Sequence, residues 1–522
     1  MTHGARRRHD RRDQRLSEVG SRLDRRPTLV GHLVGLSLAV CGVGIVGSSF
    51  VELANGGPHV GTMLATGATI AGVGYGSWRV TRVPDRIGRR DVFVAVTVAW
   101  VAMALAGATP YWVTGTLDSV DDAVFEAVAG FTTTGATVLR PIEAASDGIL
   151  FWRSITQWLG GMGVIVLVVA VLPTVGSGGM HLLEAEAPGE KGERLTPRVT
   201  QTAQRLWWVY LGFTVIVALA YLVAGMDAYD ATVHSFTTVS TGGFSSYNAS
   251  LGHFDSAAIE WIAIVAMFLA GTSFTLLYRL LRGKPGPLLR SVEFRLYCMV
   301  VALAVLIVFI AAGGERSLEQ LRASVFVVVS VVSTTGYATA DYALWDQGAQ
   351  AVVLVLIPLG AMAGSTAGGV KMLRVLAIAS FAHREALRQM HPTLVRPVRI
   401  GSQTLDDRIA NKVVGFFILT LAAFGGSGLL IALSGTDPLT AFSSAATLFG
   451  NVGPGLGDVG PTEDFANLPR FGRGIGIATM LLGRLEIYPV LIALAAIPLG
   501  PAPRVLRRAR GTVRSRALRR TG

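Results

Sequence analysis

Four short stretches of the chain carry the residue types from which a cation site can be built. They are Glu126–Leu139 (EAVAGFTTTGATVL), Val233–Ser246 (VHSFTTVSTGGFSS), Val325–Thr339 (VFVVVSVVSTTGYAT) and Ala441–Gly457 (AFSSAATLFGNVGPGLG). Each runs from a mildly apolar segment, too brief to cross a bilayer, into a cluster of Thr, Ser and Gly. Their shared chemistry is hard oxygen, with no carboxylate at the loop glycine, which suits a monovalent cation that must leave again. Aligned on one glycine they superpose Gly135, Gly243, Gly336 and Gly453, at separations of 108, 93 and 117 residues (135 to 243, 243 to 336, 336 to 453). Four recurrences at a near-constant period mark an internal repeat. The candidate ligands are the backbone carbonyls of Thr133, Thr134, Gly135 and Ala136; of Thr241, Gly242, Gly243 and Phe244; of Thr334, Thr335, Gly336 and Tyr337; and of Asn451, Val452, Gly453 and Pro454. Glycine permits the backbone angles that turn successive carbonyls to one side. Pro454 removes a donor and stiffens its loop, so with Asn451 the fourth quadrant is chemically unlike the others.

The elements that must position these loops are membrane spans. The 522 residues are 51% hydrophobic and 15% charged, with a mean hydropathy of +0.51; a soluble chain carries about 25% charged residues. Runs of the roughly 20 residues needed to cross a hydrocarbon core lie near 28–54, 60–80, 91–113, 149–174, 203–225, 256–281, 294–313, 348–380, 409–434 and 473–499. Thr28–Ala54 is too long for the apolar region of a signal peptide and is followed by further spans. Cys41 and Cys298 sit inside apolar runs without metal-ligand or disulfide spacing.

The net charge of +12 would suggest nucleic acid in a soluble chain, but its distribution excludes that partner. Arginine collects in Arg6–Arg26, in Arg504–Arg520 and on alternate connections: Arg82–Arg90, Lys191–Arg198, Arg282–Arg290 and Lys371–Arg408. The intervening connections are acidic or neutral, with Asp118, Asp121, Asp122, Glu126, Asp458, Glu463 and Asp464. Basic loops mark the cytoplasmic side, so both termini are expected in the cytoplasm.

The expected fold is therefore all-α: about ten transmembrane helices with four re-entrant pore helices, arranged as four helix–pore loop–helix repeats round a central pore, plus an extra N-terminal pair. The divisions are a basic tail (1–27), the extra pair (28–83), repeats at 84–180, 181–285, 286–385 (with an interrupted helix) and 386–500, and a basic tail (501–522). Non-helical backbone at membrane depth survives only when buried in protein or lining water, and four such loops can satisfy that condition together. The re-entrant helices would aim their partially negative C-terminal ends at the cavity, which favours a cation.

Two further features bear on passage. The span 348–380 contains Pro358, Gly360, Gly364, Gly368 and Gly369 around Ser365, Thr366 and Ala367, with Lys371 following. Glycines at this density, each about 1 kcal/mol worse than alanine in a helix, predict a break whose middle, Gly364–Gly369, forms a flexible loop under the filter; its role as a gate is what the family resemblance given below implies. Arg484 falls inside the last span, where a charge must find water, carbonyls or an acid; Glu486, two residues on, does not share its helix face. Gly42-Val43-Gly44-Ile45-Val46-Gly47 matches a dinucleotide pattern, but it lies in a span with no preceding strand and reads as helix-packing glycine. His234 reads as a satisfied structural histidine. Glu184–Arg198 is a mixed-charge, Pro- and Gly-bearing cytoplasmic loop and reads as solvated.

The motifs resemble those of the Trk/Ktr/HKT superfamily, and most closely the Trk system membrane subunit. GFTTTGATVL (Gly130–Leu139), QWLGGMGVIVL (Gln157–Leu167), STGGFSS (Ser240–Ser246), STTGYATADYALW (Ser333–Trp345), GAMAGSTAGGVKMLRVL (Gly360–Leu376), NVGPGLG (Asn451–Gly457) and MLLGRLEIYPVL (Met480–Leu491) follow the family's order from about residue 28 to 500. Ser333-Thr334-Thr335-Gly336-Tyr337 also looks like a K⁺-channel filter signature. The resemblance implies K⁺ as the transported ion, a homodimer with one pore per protomer in a prokaryotic inner membrane, and a cytosolic TrkA-like regulatory subunit that alone binds nucleotide. Glycine in all four loops goes with K⁺ in this family and serine in the first with Na⁺. The arginine matching Arg484 opposes ion passage below the filter. A Na⁺-conducting or Na⁺/H⁺-coupled transporter is the alternative. A membrane-embedded enzyme is the remote one, since the nine histidines are scattered and neither HExxH nor paired carboxylates occur.

Overall fold

Apolar helices dominate the computed structural model, which describes residues 26–84, 88–171, 199–313, 316–393, 397–401 and 403–496. The basic tails beyond residues 26–496 and the Glu184–Arg198 loop lie outside the described residues.

Helices α1 (Leu29–Ala54) and α2 (Val60–Val80) form an antiparallel pair, with the entry to the first and the exit from the second joined by the two-residue strands β1 (Arg26–Pro27) and β2 (Thr81–Arg82). Glycine lets the two backbones approach closely. A methyl group on Gly42 would lie 2.6 Å from the Gly67 carbonyl oxygen, and one on Gly35 2.9 Å from that of Gly74. The Gly42–Gly47 run is thus a packing surface at Gly42; Gly44 faces the Trp152 ring. At the end of α1 the buried Glu52 carboxylate accepts the Gly148 N–H (2.8 Å), which ties the pair to the first turn of α5.

After the pair, one pattern recurs. Helix α3 (Arg89–Val113) is followed by the short α4 (Val120–Phe131) and by α5 (Asp147–Val171); α6 (Val199–Val223) by the short α7 (Ala228–Val239) and by α8 (Ala257–Ala270) with α9 (Phe274–Leu281). Then come α10 (Gly286–Arg290), α11 (Val292–Ala311), the short α12 (Leu318–Val332), α13 (Gln347–Leu356) and α14 (Met372–Met390). The strands β3 (Val398–Ile400) and β4 (Gln403–Leu405) form a hairpin before α15 (Asp407–Leu433), the short α16 (Pro438–Gly450), α17 (Arg470–Arg484) and α18 (Ile487–Ala496). α3 packs on α18 and α4 on α17, so the first and last units close on each other. One apolar core joins α6–α9 to α11–α13; a second joins α1, α3, α4 and α5 to α15–α17. Trp152 sits fully buried in the second, donating its indole N–H to the Gly107 carbonyl (3.0 Å).

Among the described residues five helices, α1, α3, α6, α11 and α15, are long and apolar enough to cross a membrane, and two bent pairs pass the same test together. The bends correct two expected continuous spans. The span near 256–281 turns through 108° between α8 and α9, and that near 473–499 through 113° between α17 and α18. At the first bend the Gly271 carbonyl accepts from Met362 N–H (3.0 Å) instead of continuing the helix; at the second, Glu486 takes a left-handed φ of 57°. Arg484 therefore ends a half-helix and does not lie mid-span. Of the other three expected spans, 348–380 is broken as predicted. The second, α2, is a helix of 21 residues. In the third, α5, side chains are described only as far as Gly163.

Replacing Gly42 with Val forces the close α1–α2 contact apart, and overpacking of this kind costs about 1–3 kcal/mol. The purified variant should melt several degrees lower in detergent, whereas Gly72→Ala, with open space around it, should melt as the parent or higher.

Candidate functional site: a four-quadrant ring of loops

Each short helix starts in the same way. Ser119, Asp227, Ser317 and Asp437 occupy the N-cap, and their side chains accept the backbone N–H of Asp122, Asp230, Gln320 and Thr440, satisfying donors that a helix start leaves unpaired. At 12 to 15 residues, or about 18–22 Å at 1.5 Å per residue, none can cross a bilayer. Their C-terminal halves are buried, apart from the partly exposed Phe236 of α7.

Each ends in the same way too. The residue two before the aligned glycine is left-handed in every loop: Thr133 (φ 52°), Thr241 (54°), Thr334 (58°) and Asn451 (54°). The glycines follow at φ 77°, 77°, 79° and 100° for Gly135, Gly243, Gly336 and Gly453. The chain is pinned to its own helix by matching bonds. Ala129, Thr237 and Ser330 carbonyls accept from Thr134 (2.8 Å), Gly242 (2.8 Å) and Thr335 (2.9 Å), and Thr447 from Val452 (3.0 Å).

The loops close into a ring. A methyl group on Gly135 would overlap the Gly242 carbonyl oxygen, one on Gly243 that of Thr335, and one on Gly336 that of Val452. One on Gly453 would sit 2.7 Å from that of Thr134. Each glycine thus abuts the carbonyl one residue before the next glycine, in the order first to second to third to fourth and back to the first. Above the ring lies a cavity of about 90 Å³ bordered by all four glycines, Arg153, Asn248 and Asp464. At its rim Arg140 pairs with Asp464, whose carboxylate raises the Arg140 pKa.

Two of the boundaries are braced by different side chains. Tyr337 reaches from the third loop into the second short helix, bonding Thr237 and the His234 carbonyl (3.1 Å). His234 is fully buried with both ring nitrogens engaged, by the Asp230 carbonyl (2.8 Å) and Ser245 Oγ (2.9 Å), as a structural histidine should be. Asn451 Nδ2 donates to Thr134 Oγ1 (2.9 Å) and to the Met480 carbonyl (3.1 Å), linking fourth and first.

Under the ring runs the interrupted segment between α13 and α14. Leu359 and Val370 pair as a short bridge that folds the segment back on itself. Thr366 Oγ1 donates to the Val239 carbonyl (3.1 Å), at the end of the second short helix; Gly368 N–H donates to Thr334 Oγ1 (2.7 Å), in the third loop; and Gly368 abuts the Gly450 carbonyl at the end of the fourth. Arg484 donates to the Thr366 carbonyl (2.8 Å) and the Gly160 carbonyl (3.2 Å). Ser365, Thr366 and Ala367 are buried, and Gly364 and Gly369 are left-handed (φ 75° and 63°). Lys371 bonds the Ala367 carbonyl, and Glu486 pairs with Arg374 (2.7 Å) and not with Arg484. All the residues predicted for filter and gate are thus gathered at one place.

Comparison with known proteins decides the family. The family model described as "TrkH: Cation transport protein" matches residues 62–501. The chain belongs to the TrkH family of cation transport proteins. The Trk system potassium uptake protein TrkH of Halomonas elongata is 38% identical over 432 residues, covering 81% of this chain and 89% of that protein. The protein of the same name from Escherichia coli K12 is 37% identical over 422 residues, covering 80% and 87%. The crystal structure of the potassium transporter TrkH from Vibrio parahaemolyticus superposes with a TM-score of 0.82 at 33% identity, covering 90% of this chain and 99% of that one. This TrkH-family chain is an integral membrane transport protein and not an enzyme.

Sequence reasoning passed over several residues that this TrkH-family structure places against the ring. Arg153 and Gln157 on α5 grip the second loop, and Glu126 on α4 receives Arg153 Nε (2.8 Å). Glu293 on α11 accepts the N–H of Ala363 (2.8 Å) and of Leu373 (3.1 Å), stapling both ends of the interrupted segment. The available signal was the charge itself, since Arg153 and Glu293 lie within or beside apolar runs where an ionised group needs a partner.

Gly336→Ala places a methyl on the Val452 carbonyl and an L-residue at φ 79°. A loss on the order of 1–3 kcal/mol follows from strained backbone, visible as a lower melting temperature in detergent. Gly47→Ala, an α1 position with nothing near it, should not lower it.

Proposed function

We propose that the protein takes up K⁺ through the ring, with the four loops as selectivity filter and the segment Gly364–Gly369, with Lys371 and Arg484, as its gate. One observation carries the reading: four left-handed-residue-plus-glycine loops, each abutting the next one's carbonyl, at the buried ends of four short helices. Carbonyls arranged in this way replace the hydration shell of a monovalent ion without a fixed negative charge that would hold it. The short helices are then re-entrant and direct their C-terminal partial charges at the ion. The likeness to potassium uptake proteins and glycine at all four key positions support K⁺ over Na⁺.

On this reading the chain comprises about ten spans, with the bent pairs α8/α9 and α17/α18 counted as one each, in the divisions drawn from the sequence. Arg484 places a cation beneath the filter, and K⁺ approaching it is repelled until the gating segment moves. The start of α4, where Asp122 pairs with Arg473 of α17, faces outward, and the basic connections carrying Arg282, Arg290, Arg384 and Arg388 face the cytoplasm, as do both termini. Exposed apolar side chains such as Phe50, Leu105, Trp208 and Leu306 contact lipid. The protein works as a homodimer under a cytosolic TrkA-like subunit, through which any nucleotide acts.

Uptake of radiolabelled Rb⁺ into proteoliposomes should be blocked by K⁺ and not by equal Na⁺, and Arg484→Ala should raise it several-fold. Equal block by Na⁺ would overturn the assignment of K⁺. Silence of both forms, with folded protein, would overturn the pore.

A further inference from the structure

A polar clamp exists at one boundary of the ring, between the first and second loops. Arg153 and Gln157 lie one turn apart on α5 and hold the neighbouring unit's loop at consecutive points. Gln157 Nε2 donates to the Gly242 carbonyl (2.6 Å), and its Oε1 accepts from the Phe244 N–H (3.0 Å). Arg153 Nη1 donates to the Ser245 carbonyl (2.9 Å), and its guanidinium lies 3.9 Å over the Phe244 ring. The remaining donors turn back to the first loop: Nε to Glu126 Oε1 (2.8 Å) and Nη2 to Thr137 Oγ1 (3.2 Å). Glu126 also accepts from Thr137 Oγ1 (2.9 Å) and the Val138 N–H (2.9 Å). The side chains of Arg153 and Glu126 are 2% and 0% exposed.

Three features set the clamp apart from ordinary packing. The Gly242 carbonyl is the oxygen that Gly135 abuts in the ring, so Gln157 fixes a ring oxygen from behind. Counted from each helix's first residue, the corresponding positions of the other three units are Ala263 and Met267, Val353 and Ile357, and Gly476 and Met480. No such grip is available there. A lone buried arginine beside the cavity would repel an entering cation. Glu126 cancels that charge while leaving the rigid guanidinium fork to reach both loops at once, which lysine's single ammonium cannot do.

The geometry points to Arg153, Gln157 and Glu126 as specificity-determining positioning residues that set the spacing of the first and second loops for K⁺ over Na⁺. They act through the backbone oxygens of the loops and do not touch the ion. Rejection of the smaller ion requires that the ring not contract around it, and the clamp resists that contraction at the boundary it spans. The inference rests on the reading of the ring as the K⁺ path.

The test is radiolabelled Rb⁺ uptake into proteoliposomes, read as the ratio of Na⁺ to K⁺ concentration needed for half-inhibition, for the parent, Q157M, R153K and the charge-neutral pair E126Q/R153Q. The ratio does not depend on how much protein is folded or how fast it conducts, so a merely structural role would lower uptake and leave it unmoved. We expect the ratio to fall roughly tenfold in Q157M and in E126Q/R153Q, the scale of one buried hydrogen bond to a charged or carbonyl partner, and less in R153K, which keeps the charge. If the neutral pair is not recovered folded, Q157M and R153K decide. A parent-like ratio in the variants that conduct overturns the clamp while the ring reading stands. A parent that fails to discriminate overturns the ring reading, and the clamp falls with it.

Discussion

The constraint on which the rest of the structure depends is that backbone carbonyls taken out of a helix inside a membrane must be given partners or face water. Each short helix stops in a left-handed residue and a glycine, which releases a run of carbonyls from helical bonding. One such loop would carry a penalty of several kcal/mol for each unpaired group in hydrocarbon. Four of them, set so that every glycine abuts its neighbour's carbonyl, enclose the released oxygens together. The covering helices, the closure of α3 on α18 and of α4 on α17, and the matched N-caps all serve to hold four loop ends at one level.

Covalent linkage of the units frees them from symmetry. Their backbone geometry is the same to within a few degrees in three loops, yet the braces behind them are not: a charged clamp at the first boundary, a tyrosine hydroxyl at the second, and an asparagine amide between fourth and first. In an assembly of identical chains one change would appear four times. Here each boundary is adjusted separately, and a single interrupted helix can pass under the ring and bond to parts of three units.

That interrupted segment is held by bonds to backbone rather than by packing alone. Glu293 staples its two ends, Thr366 and Gly368 attach it to the second and third units, and Arg484 joins its carbonyl to Gly160 of the first. These are directional contacts, so they fix the course of the segment more sharply than apolar packing would.

The sequence by itself determined the membrane class, the repeat, the aligned glycines, the interruption of the span that holds Pro358, and the family. Each of these is written in local composition or in spacing along one segment, where glycine, proline and apolar runs have fixed physical meanings. Only the tertiary structure decided which carbonyl each glycine meets, that two expected spans bend by more than 100°, that Arg484 ends a half-helix, and that Arg153, Gln157 and Glu293 hold loops from other elements. Those facts depend on pairs such as Gln157 with Gly242 or Arg484 with Gly160, 85 and 324 residues apart. A hydrogen bond between distant segments leaves no periodic trace in either one, because its geometry is fixed by the packing of helices and not by the residues beside it in the chain.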